Sequence, residues 1–160
     1  MTNDEYIKIV KRSSNRIYLI ALSYLKNHYD AEDIMQEVFV KLWKTDKVFN
    51  NDEHLEKWLT ITCINKCRDH FRNPFIKNSA ALDDAKDLYT FDTIKNFDVF
   101  NAIMSLPQKE RLVVHLFYFE DMSIKEISEA VRVKPSTVKT RLHRARKNLK
   151  EILGDDWINE

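Results

Sequence analysis

Glycine is almost absent from this chain, which has one glycine, three prolines and two cysteines among 160 residues. Tight hairpin turns and phosphate-binding loops depend on glycine, so the composition argues against β-sheet folds and glycine-rich nucleotide sites. Hydrophobic residues make up 44% of the chain and charged residues 32%, as in folded globular proteins rather than disordered ones. These absences favour an all-α fold.

Long apolar segments and a signal-peptide pattern are also lacking, which predicts a cytoplasmic protein without membrane insertion. No phosphate loop, nucleophile elbow or metalloprotease motif occurs, so we expect no enzyme activity and no cofactor. Cys63, Cys67 and His70 have the i, i+4, i+7 spacing of metal ligands on a helix. A structural zinc site needs a fourth ligand, and none is evident. We therefore interpret the cysteines as small buried apolar residues and expect no metal.

The whole chain has almost no net charge, since its formal value is +1, but positive and negative residues are distributed unevenly along it. Residues 122–153 contain nine Lys or Arg and three Glu, whereas residues 82–98 contain five Asp and two Lys. A basic C-terminal part behind an acidic stretch indicates a DNA-binding module and a segment that avoids or mimics DNA.

Apolar residues recur at spacings of three and four through the first half of the chain, which predicts three helices. They are expected at residues 4–26, 31–44 and 54–73. Asp30 is predicted to cap the second of them, because Asp is a favoured N-cap residue and more acids follow in the first turn.

The middle of the chain, residues 74–97, lacks sustained periodicity apart from one short helix predicted near residues 80–88. A structureless loop of this length is unusual inside one compact domain, so a domain boundary is expected here. We therefore predict two small helical domains, at residues 1–75 and 98–154, joined by a flexible acidic linker at residues 76–97.

A helix-turn-helix is predicted in the last quarter of the chain. Ser123 and Glu126 have the sequence of a capping box, which begins a short helix, and Pro135 suits the first position of the next helix. The second helix carries an apolar stripe made of Val138, Leu142, Ala145 and Leu149. Its short hydroxyls near the start, with long cations behind them, suit the major groove of DNA. A basic solvated helix that closes a bundle would have the same pattern.

Two polar surfaces are predicted in the first half of the chain. Asn65, Arg68 and Arg72 share one helix face, and the preceding loop carries Phe49, Asn50 and Asn51. Aromatic residues beside amides and arginines suit unstacked bases, although a solvated face with Phe49 as a core plug is the commoner origin of such a pattern. The second surface is the polar side of the helix before that loop, which is either a protein-docking surface or a solvated face. It carries Asp33, Gln36, Glu37, Lys41 and Lys44.

Three segments together resemble the extracytoplasmic-function family of RNA polymerase sigma factors. Residues 30–43, with the sequence DAEDIMQEVFVKLW, look like the polymerase-docking helix of that family. Trp58-Leu59 followed by Asn65 and Arg72 resembles its promoter-melting helix. Leu106-Pro107, Arg111 and residues 137–146 (TVKTRLHRAR) resemble its C-terminal domain. The resemblance covers almost the whole chain, in the same order.

The resemblance implies a role for each surface. Asp33, Gln36, Glu37 and Lys41 would bind the clamp helices of the largest subunit of the polymerase. Phe49, Asn50 and Asn51 would capture a flipped base of the −10 element, supported by Asn65, Arg68 and Arg72. The second helix of the helix-turn-helix would enter the −35 element. Its DNA-binding residues would be Ser136, Thr137, Lys139, Thr140, Arg141, His143, Arg144 and Arg146.

The resemblance also implies the partners. They are core RNA polymerase, bound through its clamp helices and flap, promoter DNA, and an anti-sigma factor. The expected function is therefore that of a sigma factor, which directs promoter-specific initiation, recognises the −35 and −10 elements and helps to melt the promoter. Two alternatives remain at this point. One is a stand-alone transcriptional regulator, and the other is an interaction module that binds polymerase without reading promoters.

Overall fold

The computed structural model describes residues 1–72 and 97–154, and within those ranges it contains seven α-helices and no strands. The all-α prediction is confirmed. The chain divides into two compact units between residues 85 and 86. The predicted short helix at residues 80–88 lies outside the described residues, as does the predicted acidic linker except for Phe97, which begins a helix. The exact domain limits stay a prediction.

The N-terminal unit consists of three helices, α1 (Asn3–Leu25), α2 (His28–Lys44) and α3 (Asp52–Phe71). Thr2 and Glu5 form a capping box at the start of α1. The sequence-based N-cap of α2 was wrong, because Asn27 accepts a hydrogen bond from the amide of Asp30 and the helix begins at His28. The predicted start of α3 at residue 54 was also late by two residues, since Asn51 is its N-cap.

The core of the N-terminal unit lies where the apolar faces of its three helices meet. It includes Ile17, Ile20, Leu22, Ile34, Val38, Leu42, Leu59, Cys63, Ile64 and Cys67, all at most 2% exposed. Burying a side chain of this size stabilises the fold by roughly 1.5–3 kcal/mol. These contacts therefore hold α2 and α3 against α1 and fix which of their faces remain exposed.

Both cysteines are buried in this core, as the sequence indicated. The thiol of Cys63 donates a hydrogen bond to the carbonyl of Ile17 (3.6 Å), and burial raises the pKa of the Cys67 thiol well above its usual value. His70 lies beside Asp30 instead, with 3.3 Å between Nε2 and the carboxylate. Among the described residues no group of His, Cys, Asp and Glu side chains is arranged to hold a metal.

The C-terminal unit contains α4 (Phe97–Met104), α5 (Gln108–Tyr118), α6 (Ile124–Val131) and α7 (Pro135–Leu153). Arg111 is 5% exposed, and its guanidinium donates to the carbonyl of Leu106 (3.0 Å). Burial lowers the pKa of Arg111 to about 10, so this residue is still cationic at neutral pH. Arg111 therefore ties the turn between α4 and α5 to the inside of the unit.

His115 on α5 is 1% exposed, and its ring stacks on Phe119 with 5.1 Å between centroids. Neither ring nitrogen has a hydrogen-bond partner among the residues that the structure describes. Burial lowers the pKa of His115 from 6.5 to about 3, because the protonated ring would have to leave water without a counter-charge. The folded unit therefore holds His115 neutral.

This burial makes the stability of the C-terminal unit depend on pH. Below pH 6.5 the unfolded chain binds a proton at His115, whereas the folded chain does so only near pH 3. Stability is therefore complete above pH 6.5 and is lost between the two values, by about 1.4 kcal/mol at pH 5.5. Urea unfolding followed by circular dichroism at pH 7.5 and 5.5 measures this loss. His115→Phe is expected to show a loss smaller by that amount, and an equal loss in both proteins would contradict the expectation.

No helix within the described residues is both long enough and apolar enough to cross a membrane.

Candidate DNA and polymerase interfaces

Helices α6 and α7 form the helix-turn-helix expected from the sequence. Ser123 accepts a hydrogen bond from the amide of Glu126, and the Glu126 carboxylate accepts one from the amide of Ser123, both at 3.1 Å. Arg132 ends α6 in the left-handed conformation (φ 60°), where glycine is usual because a Cβ costs about 1 kcal/mol there. The amide of Val133 then bonds to the carbonyl of Ser128 (3.1 Å), which closes the turn into α7.

Helix α7 has one buried and one exposed side. Its apolar stripe of Val138, Leu142, Ala145 and Leu149 is at most 1% exposed. The opposite side is exposed, and we call it the reading face. It consists of Ser136, Lys139, Thr140, His143, Arg144 and Lys147. Three cations and three short or aromatic polar groups therefore point away from the unit over about three turns of helix, as a surface for phosphates and base edges requires.

Three other residues predicted to bind DNA lie on the flanks of α7 rather than on the reading face. Thr137, Arg141 and Arg146 are partly buried. The guanidinium of Arg146 donates to the hydroxyl of Tyr118 (2.9 Å) and lies over the ring of Phe117, 5.3 Å from its centroid. Conversely, Lys147 belongs to the reading face but was not assigned to DNA from the sequence. Its position opposite the apolar stripe is the signal that could have found it.

The Phe49 loop is held against the beginning of α3. The ring of Phe49 lies edge-on to the rings of His54 and Trp58, each at 5.4 Å between centroids, and is half-buried. The side-chain oxygen of Asn51 accepts a hydrogen bond from the backbone amide of His54 (2.8 Å). The backbone amide of Asn50 donates one to Nδ1 of His54 (3.2 Å). Phe49 therefore packs on the outer side of α3 and not in the centre of the core.

Of the amide and arginine residues predicted on α3, two are in direct contact with each other and the third is exposed at the end of the helix. Asn65 accepts a hydrogen bond from the guanidinium of Arg68 (2.8 Å), while Arg72 is exposed at the C-terminal end of the helix. Trp58, Asn65 and Arg72 are spaced by seven residues, so they lie along the same side of α3. The Phe49 loop and these side chains thus form one continuous strip.

An ion-pair network that the sequence did not reveal lies on the other side of α3. Glu56 on α3 accepts hydrogen bonds from Ser13 (2.7 Å) and Arg12 (3.2 Å), and it forms an ion pair with Arg16. Arg16 also donates to the hydroxyl of Thr60 (2.7 Å). Because the partners are 40 or more residues apart in the chain, no local pattern predicts them. The network fixes the first half of α3 against α1.

The exposed side of α2 contains the predicted polymerase-binding residues in one patch. Asp33, Gln36, Glu37 and Lys41 are all exposed, and Lys66 of α3 approaches Glu37 with 3.8 Å between amine and carboxylate. Together with Val40 and Lys44, these side chains line a shallow groove of about 520 Å³. The half-exposed Val40 places an apolar surface in the middle of charged ones. A mixed groove of this kind suits another protein's helices.

Comparison with protein families matches both units. The family model described as Sigma-70 region 2 matches residues 9–73, and the one described as Sigma-70, region 4 matches residues 97–149. The chain is thus a helical protein of the sigma-70 class, and its helix-turn-helix belongs to the second of these regions.

Similar whole proteins narrow the class. RNA polymerase sigma factor SigV of Bacillus subtilis is 32% identical, over 81% of this chain and 80% of that protein. ECF RNA polymerase sigma factor SigW of the same organism is 28% identical, over 95% and 90%. This chain belongs to the extracytoplasmic-function family of RNA polymerase sigma factors. It is a sigma factor for promoter-specific initiation of transcription, which confirms the function expected from the sequence.

A solved structure shares the fold. The sigma factor RpoE of Bartonella quintana, in its complex with the anti-sigma factor NepR, is similar to this chain with a TM-score of 0.64. The similarity covers 95% of this chain and 98% of that one, at 19% sequence identity.

Proposed function

We propose that this sigma factor uses three surfaces on its two units, with the polar side of α2 binding core polymerase, the Phe49 strip binding the −10 element and α7 binding the −35 element. The observation that carries the proposal is the reading face of α7. Its six polar residues are all exposed opposite a fully buried stripe, in the second helix of a helix-turn-helix. In this motif the second helix enters the major groove.

At the −35 element, we assign the reading face to bases and phosphates. The N-terminal residues of α7 would read base edges, since Ser136 and Thr140 are short and lie within the first two turns. The cations of Lys139, Arg144 and Lys147 would neutralise phosphates or donate to guanine. Thr137 and Arg141 stay candidate DNA contacts at the edges of this face, whereas Arg146, which the sequence also assigned to DNA, is bonded to Tyr118.

At the −10 element, we assign the Phe49 strip to melted DNA. Phe49 is half-exposed, so a base leaving the stack can contact its ring, with amide groups of Asn50 and Asn51 alongside. Arg72 is exposed and Arg68 is partly so, which places positive charge along the same side of α3. Asn65 would act mainly by holding the Arg68 guanidinium, to which it is bonded.

At the polymerase, we assign the groove on α2 to the clamp helices of the largest subunit. Asp33 and Glu37 provide carboxylates and Lys41 an amine around the apolar side chain of Val40. Ion pairs with the polymerase at the rim of the groove would then surround a centre from which water is excluded. The flap is the proposed partner of the C-terminal unit.

Further parts of the proposal concern the protein as a whole. We propose that it has no catalytic activity of its own and that it acts in the cytoplasm, where core polymerase is found. Its domains are proposed as residues 1–75 and 98–154, with a linker at residues 76–97. An anti-sigma factor is a proposed partner, by analogy with the complex of the Bartonella protein.

In vitro transcription with core polymerase and a promoter library tests this function. Adding the chain is expected to produce a new set of start sites that share upstream sequences at −35 and −10 spacing. If the chain binds duplex DNA tightly without polymerase and creates no start sites, it is a stand-alone regulator. If it binds core polymerase but creates no start sites, it is an interaction module.

A further inference from the structure

The recognition helix α7 is attached to α5 on both of its flanks. On one flank, Arg146 donates to the hydroxyl of Tyr118 (2.9 Å) and its guanidinium lies 5.3 Å and 5.8 Å from the ring centroids of Phe117 and Tyr118. On the other flank, the amide of Asn148 donates to the carboxylate of Glu110 (3.0 Å). Both partners belong to α5, one at its beginning and one at its end.

The two contacts lie on opposite sides of the buried stripe. With a turn of about 100° per residue, Arg146 lies about 70° from the centre of the stripe in one direction and Asn148 about 90° in the other. The partners Tyr118 and Glu110 are eight residues apart on α5. Helix α5 therefore crosses α7 and contacts it at both of its ends. These two contacts oppose rotation of α7 about its own axis in either direction.

We infer that Arg146 and Asn148 are positioning residues, which set the rotation of α7 and so the base preference at the −35 element. The inference rests on the proposed DNA-binding role of the reading face. A side-chain tip about 6 Å from the helix axis moves by about 1.5 Å when the helix rotates by 15°. Such a shift is enough to break the hydrogen bonds through which side chains distinguish base edges.

The chemistry of Arg146 fits this role better than a DNA contact. Its guanidinium already has a hydrogen-bond acceptor in Tyr118 and two aromatic rings beside it. Arginine suits such a position, because its planar group can stack on a ring while its N–H groups bond in plane. To reach DNA, Arg146 would have to give up these contacts. The role also explains why an arginine stands beside the apolar stripe and not on the reading face.

The test uses holoenzyme formed from core polymerase and the full chain, with promoters taken from the library experiment. Arg146→Gln and Tyr118→Phe are each expected to reduce discrimination between the preferred −35 sequence and single-base variants by about fivefold, the effect of one lost hydrogen bond. Because both remove the hydrogen bond between Arg146 and Tyr118, the double variant is expected to match Arg146→Gln alone. Asn148→Ala is expected to reduce discrimination to a similar extent from the other flank.

The salt dependence of promoter binding separates positioning from phosphate contact. Losing one phosphate contact lowers the slope of log K against log salt by about one, so Lys139→Ala serves as the reference. Arg146→Gln is expected to leave the slope unchanged. A slope reduced by Arg146→Gln, a silent Tyr118→Phe, or additive effects would each overturn the inference. An unchanged slope with Lys139→Ala would instead overturn the DNA assignment of α7. Formation of holoenzyme and the thermal unfolding of each variant check that the chain is folded.

Discussion

Replacing Lys139 and Arg144 together by alanine is expected to lower transcription from the preferred promoter about a hundredfold. Each side chain lies on the reading face and is exposed. A contact to a base edge or phosphate contributes roughly 1–3 kcal/mol, so two of them amount to about 3 kcal/mol, which is about two factors of ten in affinity. In vitro transcription with saturating core polymerase measures the loss, and holoenzyme formation should be unaffected.

The matched control for this pair removes the same charge elsewhere in the same unit. Lys109→Ala with Lys150→Ala takes two exposed cations from α5 and from the C-terminal end of α7. We expect this variant to keep most of its activity. Equal losses in both double variants would mean that net charge, rather than the reading face, attracts DNA, and the assignment of α7 would fail.

Replacing Gln36 and Glu37 together by alanine is expected to weaken binding to core polymerase by about a hundredfold without unfolding the chain. Energetically important residues of a protein interface each contribute more than about 1 kcal/mol, so two of them amount to about 3 kcal/mol, or about two factors of ten, and both lie in the groove around Val40. The fold should survive, since Gln36 and Glu37 are exposed and the ion pair between Glu37 and the partly exposed Lys66 spans 3.8 Å. Such surface pairs stabilise proteins by about 0–1 kcal/mol.

Glu53→Ala is the control for this variant, because Glu53 also forms an exposed ion pair, with Lys57 at 4.0 Å. It removes the same charge from the same unit at a different surface. Fluorescence titration of labelled chain with core polymerase gives both affinities, and circular dichroism checks the helices. If the α2 variant binds core polymerase as tightly as the control does, the docking surface lies elsewhere.

The sequence predicted the helices well because each carries its own apolar periodicity, but it predicted their ends less well. Asn27 and Asp30 are both good N-cap residues, and periodicity alone does not choose between them. The structure uses Asn27, so α2 gains nearly a turn, with His28 buried in it. Similarly, Asn51 is followed by two acids that suit a first helical turn, and attention to this signal would have placed the start of α3 correctly.

The sequence could not predict the features that depend on contacts between helices. Hydrophobicity alone would place Phe117, rather than the nearby His115, in the core of the C-terminal unit. The structure buries His115 completely and leaves Phe117 partly exposed, where it holds the Arg146 guanidinium. The network around Glu56 is a similar case, because it depends on how α1 and α3 cross. Both arrangements are decided by packing between helices rather than by local preference.

The cap of α3 restricts what the Phe49 loop can recognise. The side-chain oxygen of Asn51 accepts from the amide of His54 and keeps one further lone pair, whereas both N–H bonds of its NH₂ group are left to face a base. Asn51 therefore offers two donors and one remaining acceptor position. In the proposed −10 site, a base with a lone pair at that point, from a ring nitrogen or a carbonyl oxygen, would match the NH₂ group. Helix capping thus biases the hydrogen-bond polarity of the proposed base-binding loop towards donation before any DNA arrives.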